Sequence, residues 1–297
     1  MRRSLDRESF RRFLGPVPTW SLGVVEVVEA SYCDGFVRRR VSYDTPNGRA
    51  SAFVCIPDRV EEPAALVYCH HQHNHQFDLG KSEVVGLRGD PTQAYAAELA
   101  RRGFVTVAAD AIGFEDRNWA DGLNVGWFEL ASRLVLGRTL LADELQEISL
   151  AIDYGLSLPE VQDGAVGFIG HSFGGRVALW APAWDNRIAA SVSNCGCISY
   201  RESFAQDVGF QADTVVPGFA RTFDVEDLLE LTPECAYLII AGDDDRWSRG
   251  AQALEVEARR RGIQHARIVR RPGGHTFPRV DRDLAYAFLD DVLRRPH

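Results

Sequence analysis

A short apolar run passes directly into a glycine-rich turn and then into a helical pattern, and this junction constrains the fold more than any other feature. The run AVGFIG (165–170) has the length of a buried strand, and GRVALWAPAW (175–184) has helical apolar spacing. Between them, Gly170-His171-Ser172-Phe173-Gly174 fits the pattern Gly-x-Ser-x-Gly. Glycines on both sides allow a sharp reversal that holds the serine hydroxyl at the end of the strand, beside a helix N-terminus. Ser172 is therefore the candidate nucleophile.

The remaining segments alternate between strand-like and helical patterns, which is typical of a mostly parallel sheet flanked by helices. Residues 24–57 differ, because β-branched alternation around a turn cluster at 44–48 predicts an antiparallel hairpin. We predict one α/β domain over residues 1–297. The later strands are expected at 64–70, 104–110, 165–170, 188–194, 236–242 and 266–272, and helices at about 91–103, 175–184 and 281–294.

Two aromatic-rich stretches interrupt the alternation, at 114–140 and 199–232. Insertions of this kind commonly lie over the carboxyl ends of the strands, where ligands bind. Both are therefore candidate lid or cap elements, and Trp127 in the first is a candidate pocket residue. The alternative is that these aromatic side chains only anchor long surface segments.

A serine hydroxyl needs an imidazole to take its proton, and His275 is the best placed histidine. It lies in PGGHTF (272–277), a glycine-rich loop after the last predicted strand. His265 falls at the start of a strand and His297 is the terminal residue, so neither has a loop that carries it to Ser172.

The acid that orients the histidine should follow the preceding strand, AYLIIAG, which ends in Asp243-Asp244-Asp245. The chain needs a few residues to turn after Gly242, so we expect Asp245 to be the third member. The other two carboxylates then belong to a solvated turn or a helix cap. Trp247, two residues further on, is a second candidate pocket residue.

Four of the chain's 8 histidines lie in the loop His70-His71-Gln72-His73-Asn74-His75. One interpretation is a metal hydrolase, since imidazole is a good zinc ligand. The preferred interpretation is that the loop gives a backbone amide to an oxyanion hole, together with the amide of Phe173. His73 is the first choice for that second donor and Gln72 the next. The rings, that of His71 in particular, would then line the pocket or pack.

Bulk composition excludes several classes of function. The net charge of −9 gives no basic surface for nucleic acid, and Lys81 is the only lysine among basic side chains that are otherwise arginines. No apolar run approaches the roughly eighteen residues of a membrane span. Acidic residues interrupt the N-terminal segment, and the six cysteines are scattered through apolar segments, so we expect a cytoplasmic protein with reduced thiols. Cys195 and Cys197 lack a second close pair that would complete a zinc site.

These motifs resemble the dienelactone hydrolase and acetyl-xylan-esterase-like branch of the α/β-hydrolase superfamily. The resemblance covers most of the chain after its N-terminal region, and the first three motifs are the most particular. It rests on HQHN (71–74), FDLGKSE (77–83), DAIGFEDR (110–117), GRTLLADELQEISLAIDYG (137–155), GHSFGG (170–175) and GGHTF (273–277). It implies an α/β-hydrolase fold and a metal-independent esterase for small acyl groups. Dienelactone hydrolases proper use a cysteine nucleophile, so Ser172 favours ordinary ester chemistry here.

The sequence therefore predicts a serine esterase without a cofactor or metal, acting on a small-molecule ester and not on nucleic acid or a membrane. A lactonase, amidase or acyltransferase would use the same triad. The sequence also leaves open a metal-dependent hydrolase using residues 70–75 and a binding protein on the same scaffold. A homodimer is one assembly that it allows.

Overall fold

A nine-stranded sheet forms the centre of the protein, with strand order β1-β2-β3-β5-β4-β6-β7-β8-β9. The computed structural model describes residues 4–59, 62–120, 122–206, 208 and 210–294. The strands are β1 (Glu26–Cys33), β2 (Phe36–Thr45), β3 (Gly48–Pro57), β4 (Ala64–His70), β5 (Val105–Ala109), β6 (Val161–His171), β7 (Ile188–Asn194), β8 (Ala236–Gly242) and β9 (Ala266–Arg271).

The first three strands pair antiparallel and β3 pairs antiparallel with β5, whereas all pairs from β5 to β9 are parallel. The mostly parallel sheet predicted from the sequence is thus confirmed. The hairpin predicted over 24–57 is a three-stranded meander instead, because β1 adds to the edge of β2. Strands β4 to β8 are buried almost throughout, as expected for strands covered on both faces.

Helices cover both faces of the sheet and enclose two apolar clusters, one on each side. Their bounds are α1 (Arg7–Leu14), α2 (Lys81–Val84), α3 (Tyr95–Arg101), α4 (Gly122–Val135), α5 (Leu140–Leu156), α6 (Phe173–Trp184), α7 (Tyr200–Gln206), α8 (Val225–Leu231), α9 (Ala251–Arg261) and α10 (Arg279–Leu293). No helix among the described residues is long and apolar enough to cross a bilayer.

The two aromatic-rich stretches contain α4 in the first, and α7, α8 and two 3-10 turns in the second. Part of the second stretch is core, since Phe219 and Phe223 are buried and pack edge-on against Phe13 of α1. Phe204 and Phe210 in the same stretch are exposed. A lid role therefore stays a prediction for the parts of these stretches that face solvent.

Candidate active site

Ser172 stands on a strained turn between β6 and α6. Its backbone has φ 58° and ψ −114°, in the left-handed half of the Ramachandran map that side-chain-bearing residues rarely adopt. The turn forms because its glycines leave no side chain in the way: a methyl group at Gly170 would overlap Gly174, and one at Gly174 would overlap the carbonyl oxygen of His70. The Ser172 amide donates to the Asn194 carbonyl (2.8 Å), which fixes the turn against the end of β7.

The structure brings His275 and Asp245 to Ser172 from two different loops. His275 Nε2 lies 2.7 Å from Ser172 Oγ, and His275 Nδ1 lies 2.9 Å from Asp245 Oδ1. Because an ionised carboxylate can only accept, Nδ1 carries the proton and Nε2 is free to accept from the serine hydroxyl. The arrangement is a complete proton-transfer chain from hydroxyl to imidazole, with a carboxylate behind it.

Asp245 is held by three donors. Besides His275, its carboxylate accepts from the Trp247 amide (3.0 Å, at Oδ1) and from the Ser248 hydroxyl (2.5 Å, at Oδ2). Burial raises the pKa of this carboxyl, but the hydrogen bonds from His275 and Ser248 outweigh burial and hold the pKa below its ordinary value. Asp245 therefore stays charged at neutral pH.

His171 and Asn194 support the loop that carries His275. Asn194 Nδ2 lies 2.7 Å from His171 Nδ1 and donates to the Thr276 carbonyl at 3.0 Å. Burial and the neighbouring His275 lower the pKa of His171 to about 3, so this ring is neutral. It packs against His275 with ring centroids 4.8 Å apart.

The rival histidines and carboxylates lie elsewhere or face solvent. His265 hydrogen-bonds the Leu229 carbonyl, and Asp243 pairs with Arg270 at the surface. Asp244 is exposed. His297 lies outside the described residues.

The histidine-rich loop is tied into the protein through its first two rings. His70 donates from Nδ1 to the His71 carbonyl and its Nε2 lies 2.8 Å from Glu144 Oε1. Burial, and then the neighbouring Glu147, raise the pKa of Glu144 to about 8, whereas burial lowers that of His70 to about 4. Both shifts favour the neutral forms of the two groups, in which the carboxyl group of Glu144 donates to His70 Nε2.

Both ring nitrogens of His71 are hydrogen-bonded within the protein, so the structure does not support its assignment to an open substrate pocket. It is fully buried, its Nδ1 donates to the Gln72 carbonyl (2.8 Å), and its Nε2 accepts from the Ala111 amide (3.1 Å). Burial, reinforced by His70, lowers its pKa to about 3. The ring contacts Phe114 and Phe173 and so positions the loop against the first turn of α6.

The two candidate oxyanion donors differ in their surroundings. Gln72 is buried and its side-chain amide donates to Glu83 Oε2 (3.1 Å). His73 is half-buried, its Nδ1 accepts from the His75 amide, and its ring packs against Phe77 and Phe114.

Both ring nitrogens of His70 and of His71 are hydrogen-bonded, which argues against a zinc site that uses these two rings. Among the described residues, no histidine of 70–75 belongs to a cluster of three side chains that would ligate a metal. The catalytic candidates His275 and Asp245 do form one such cluster with Cys195, but there the imidazole and carboxylate are already bonded to each other. Burial raises the pKa of Cys195 to about 12, which keeps the thiol protonated.

Sequence reasoning missed a buried charge cluster built on Lys81. Its side chain is 1% exposed, and its ammonium group donates to Asp110 Oδ2 (2.6 Å), Glu115 Oε1 (2.9 Å) and Asp116 Oδ2 (2.8 Å). A metal ion would need the position that the ammonium group fills. The cluster joins α2 to the segment after β5, so the GKSE and DAIGFEDR segments are in direct contact. The sequence feature that could have indicated this cluster is Lys81 itself, a lysine in a chain whose other basic side chains are arginines.

The predicted pocket residues Trp127 and Trp247 have different surroundings. Trp127 is 64% exposed on α4, so it faces solvent in this conformation. Trp247 is half-buried and directly follows the turn that holds Asp245. The guanidinium groups of Arg176 and Arg246 lie 5.4 and 4.9 Å from its ring centroid.

Comparison with known proteins gives the same architecture. A search of protein families found no matching model. The chain is 29% identical over 305 residues to a protein of Bacillus subtilis (strain 168) provisionally named hydrolase YtaP, covering 98% of this chain and 100% of that one.

Among solved structures, a glucuronoyl esterase from Solibacter usitatus matches with TM-score 0.70 at 17% identity, over 95% of this chain and 91% of that one. Acetyl xylan esterase 1 from Thermoanaerobacterium sp. JW/SL YS485 matches with TM-score 0.60 at 19% identity, over 90% and 87%. At these identities the structural matches establish the shared fold and leave the substrate open.

Proposed function

We propose that this chain, an α/β-hydrolase by its fold, is a serine esterase that cleaves carboxylic esters of small molecules through an acyl-enzyme. One observation carries the proposal: Ser172, His275 and Asp245 form an unbroken hydrogen-bonded chain of 2.7 and 2.9 Å at the end of the sheet. The strained backbone of Ser172 supports it, because strain of this kind is retained where function requires it.

In the first half of the reaction, Ser172 Oγ attacks the ester carbonyl carbon while His275 Nε2 takes the hydroxyl proton. Asp245 stabilises the resulting imidazolium, since its negative charge lies against Nδ1. The tetrahedral intermediate then collapses: the bond to the alcohol oxygen breaks and His275 returns the proton to the leaving alcohol. The acyl group remains on Ser172.

In the second half, His275 takes a proton from water, and the resulting hydroxide attacks the acyl carbonyl. Collapse of this second intermediate breaks the bond to Ser172 Oγ, which regains its proton from His275. The products are a carboxylic acid and an alcohol, and no cofactor is consumed.

We assign the oxyanion hole to the amide of Phe173 and one amide of the preceding loop. Phe173 is the first residue of α6, so its N–H has no partner within the helix and lies at the positive end of the helix dipole. His73 and Gln72 remain the candidates for the second donor. The close approach of this loop to α6, where the His71 carbonyl lies against Gly174, supports a donor from it.

We further propose a cytoplasmic location, which fits six cysteines that are all free thiols. A homodimer is also proposed, because the exposed side chains of Trp119, Trp127 and Phe128 give α4 and its preceding segment an apolar surface. Sedimentation of the purified protein measures its mass in solution and so distinguishes a dimer from a monomer.

Turnover of a chromogenic acetyl ester by wild type and by Ser172→Ala tests the esterase proposal. We expect the variant to lose at least about three orders of magnitude in kcat, because a triad acts as a unit. A variant that keeps near wild-type turnover overturns the assignment of Ser172.

A panel of esters, lactones and amides, with hydroxylamine as a competing acyl acceptor, separates esterase from lactonase, amidase and acyltransferase. Activity lost on chelation and restored by zinc would instead favour the histidine loop as a metal site.

A further inference from the structure

Arg176 is a buried cation with an unsatisfied hydrogen-bond donor. It lies on the first turn of α6, where its amide donates to the Ser172 carbonyl (3.0 Å), and it is 6% exposed. Its Nη1 donates to the Thr214 hydroxyl at 3.2 Å. Its Nη2 is buried and has no hydrogen-bond partner, and no carboxylate in the described part of the chain forms an ion pair with the guanidinium group.

Burial of an arginine side chain with an unsatisfied donor is unfavourable in free energy. Arginine does not release its proton in proteins, so burial cannot be relieved by neutralisation. A buried charge left without a partner costs several kcal/mol. A residue with this cost is expected to have a partner that is absent from the free chain.

The nearby acid Asp213 does not fill this role. It is buried beside Thr214, and burial raises its pKa well above the ordinary range, which favours its neutral form. Its carboxyl group makes no hydrogen bond to the unpartnered Nη2 of Arg176. Among the described residues, the guanidinium group of Arg176 therefore contacts the Thr214 hydroxyl and the ring of Trp247, and no carboxylate is hydrogen-bonded to it.

The position of Arg176 connects it to the catalytic residues. Its guanidinium group lies 5.4 Å from the ring centroid of Trp247, whose amide donates to Asp245. Its backbone is one helical turn from Ser172. The unpaired Nη2 and the weakly bonded Nη1 are the two parallel donors that a carboxylate accepts in bidentate fashion, and the Thr214 hydroxyl marks the direction from which one oxygen would approach.

We propose that Arg176 binds a carboxylate carried by the substrate, so that the preferred substrate is an ester bearing a free acid group. This rests on the proposed esterase function and names its substrate class. A single carboxylate would supply both the negative charge and the acceptor for Nη2. Binding it displaces the Thr214 hydroxyl from Nη1 and gives Nη2 the acceptor that the free chain lacks.

Two p-nitrophenyl esters of equal chain length test the proposal: the neutral pentanoate and the monoester of glutaric acid, which carries a terminal carboxylate. We expect wild type to favour the glutarate monoester in kcat/KM by about ten- to a hundredfold, the value of a hydrogen-bonded charge pair. A second pair, methyl acetate and the acetyl ester of glycolic acid, places the carboxylate on the alcohol side. The proposal is overturned if wild type prefers the carboxylate-bearing ester in neither of the two pairs.

Arg176→Met should abolish the preference, mainly by raising KM for the glutarate monoester relative to that for the pentanoate, and Arg176→Lys should keep part of it. Arg260→Met, which removes an exposed arginine of α9, is the matched control and should retain the preference. If a folded Arg176→Met protein loses kcat/KM equally for both esters, Arg176 has a structural role and the inference is refuted.

Thermal unfolding gives a readout that needs no turnover. Glutarate alone should raise the melting temperature of wild type and not that of Arg176→Met, and the variant itself should be at least as stable as wild type. No glutarate shift in wild type contradicts the proposal even if the protein is an active esterase. A shift in a protein that hydrolyses no ester refutes the proposed esterase and leaves the anion site standing.

Discussion

Replacing Asp245 by asparagine removes the negative charge behind His275 while leaving the geometry nearly unchanged. Oδ1 faces two donors, His275 Nδ1 and the Trp247 amide, so the asparagine oxygen must take that position. The asparagine NH₂ group then faces Ser248, whose hydroxyl rotates to accept from it. The main effect of the substitution is therefore the loss of charge.

The size of the effect follows from the separation of the charges in the transition state. With Nδ1 and Oδ1 2.9 Å apart, the centres of the imidazolium and carboxylate charges are about 4 Å apart, which at an effective dielectric constant of about 20 gives roughly 4 kcal/mol. His275 has a side chain 30% exposed, so solvent screens part of this. We expect kcat to fall by about 10²- to 10³-fold.

Steady-state hydrolysis of p-nitrophenyl acetate by wild type, Asp245→Asn and Asp244→Asn checks this. Asp244 is exposed and adjacent in sequence, so its asparagine variant is the matched control and should keep kcat within about twofold. Two results would refute the assignment of Asp245 as the third triad member. One is an Asp245→Asn variant that keeps more than about a third of wild-type kcat, and the other is a loss of kcat in Asp244→Asn that exceeds the loss in Asp245→Asn.

Three further predictions concern the supports of the site. The pKa of Glu144 is raised from 4.5 to about 8, so the free energy of unfolding of wild type falls as the pH rises between these two values. Glu144→Gln removes this pH-dependent loss. The free energy of unfolding of the variant, measured in urea, should therefore rise relative to that of wild type by on the order of a few kcal/mol between pH 5 and pH 8. A pH-independent difference would show that Glu144 is ionised. Lys81→Met leaves its carboxylates without their cation and should lower the free energy of unfolding by about 3–5 kcal/mol, with part recovered on adding Asp110→Asn; an unchanged urea midpoint would contradict the cluster. Gly174→Ala forces a methyl group against the His70 carbonyl and should cost about 3 kcal/mol or more in thermal unfolding, and wild-type stability would exclude the tight turn.

The parts of the fold and site that the sequence predicts are those governed by local chemistry. The strand, glycine turn and helix around Ser172 are encoded within one continuous segment, residues 165–184. His275 and Asp245 follow from the order in which loops leave the later strands of a parallel sheet. Long-range packing was not needed for either inference.

The features missed depend on residues distant in the chain. Whether His71 lines a pocket or is buried is decided by Phe114 and Phe173, which meet it only in the folded protein. Likewise, Lys81 becomes a buried cation because the segment after β5 supplies its carboxylates. Arg176 occupies what the sequence shows as an ordinary polar position on a helix, and the unsatisfied Nη2 of its side chain is visible only in three dimensions.

The central claim, that Ser172 is an activated nucleophile, is tested most directly by covalent capture. Wild-type protein treated with a fluorophosphonate should gain the mass of one adduct, with peptide mapping locating it on Ser172, and Ser172→Ala should gain none. An unmodified wild type that still hydrolyses esters, or an adduct on a different residue, would contradict the account.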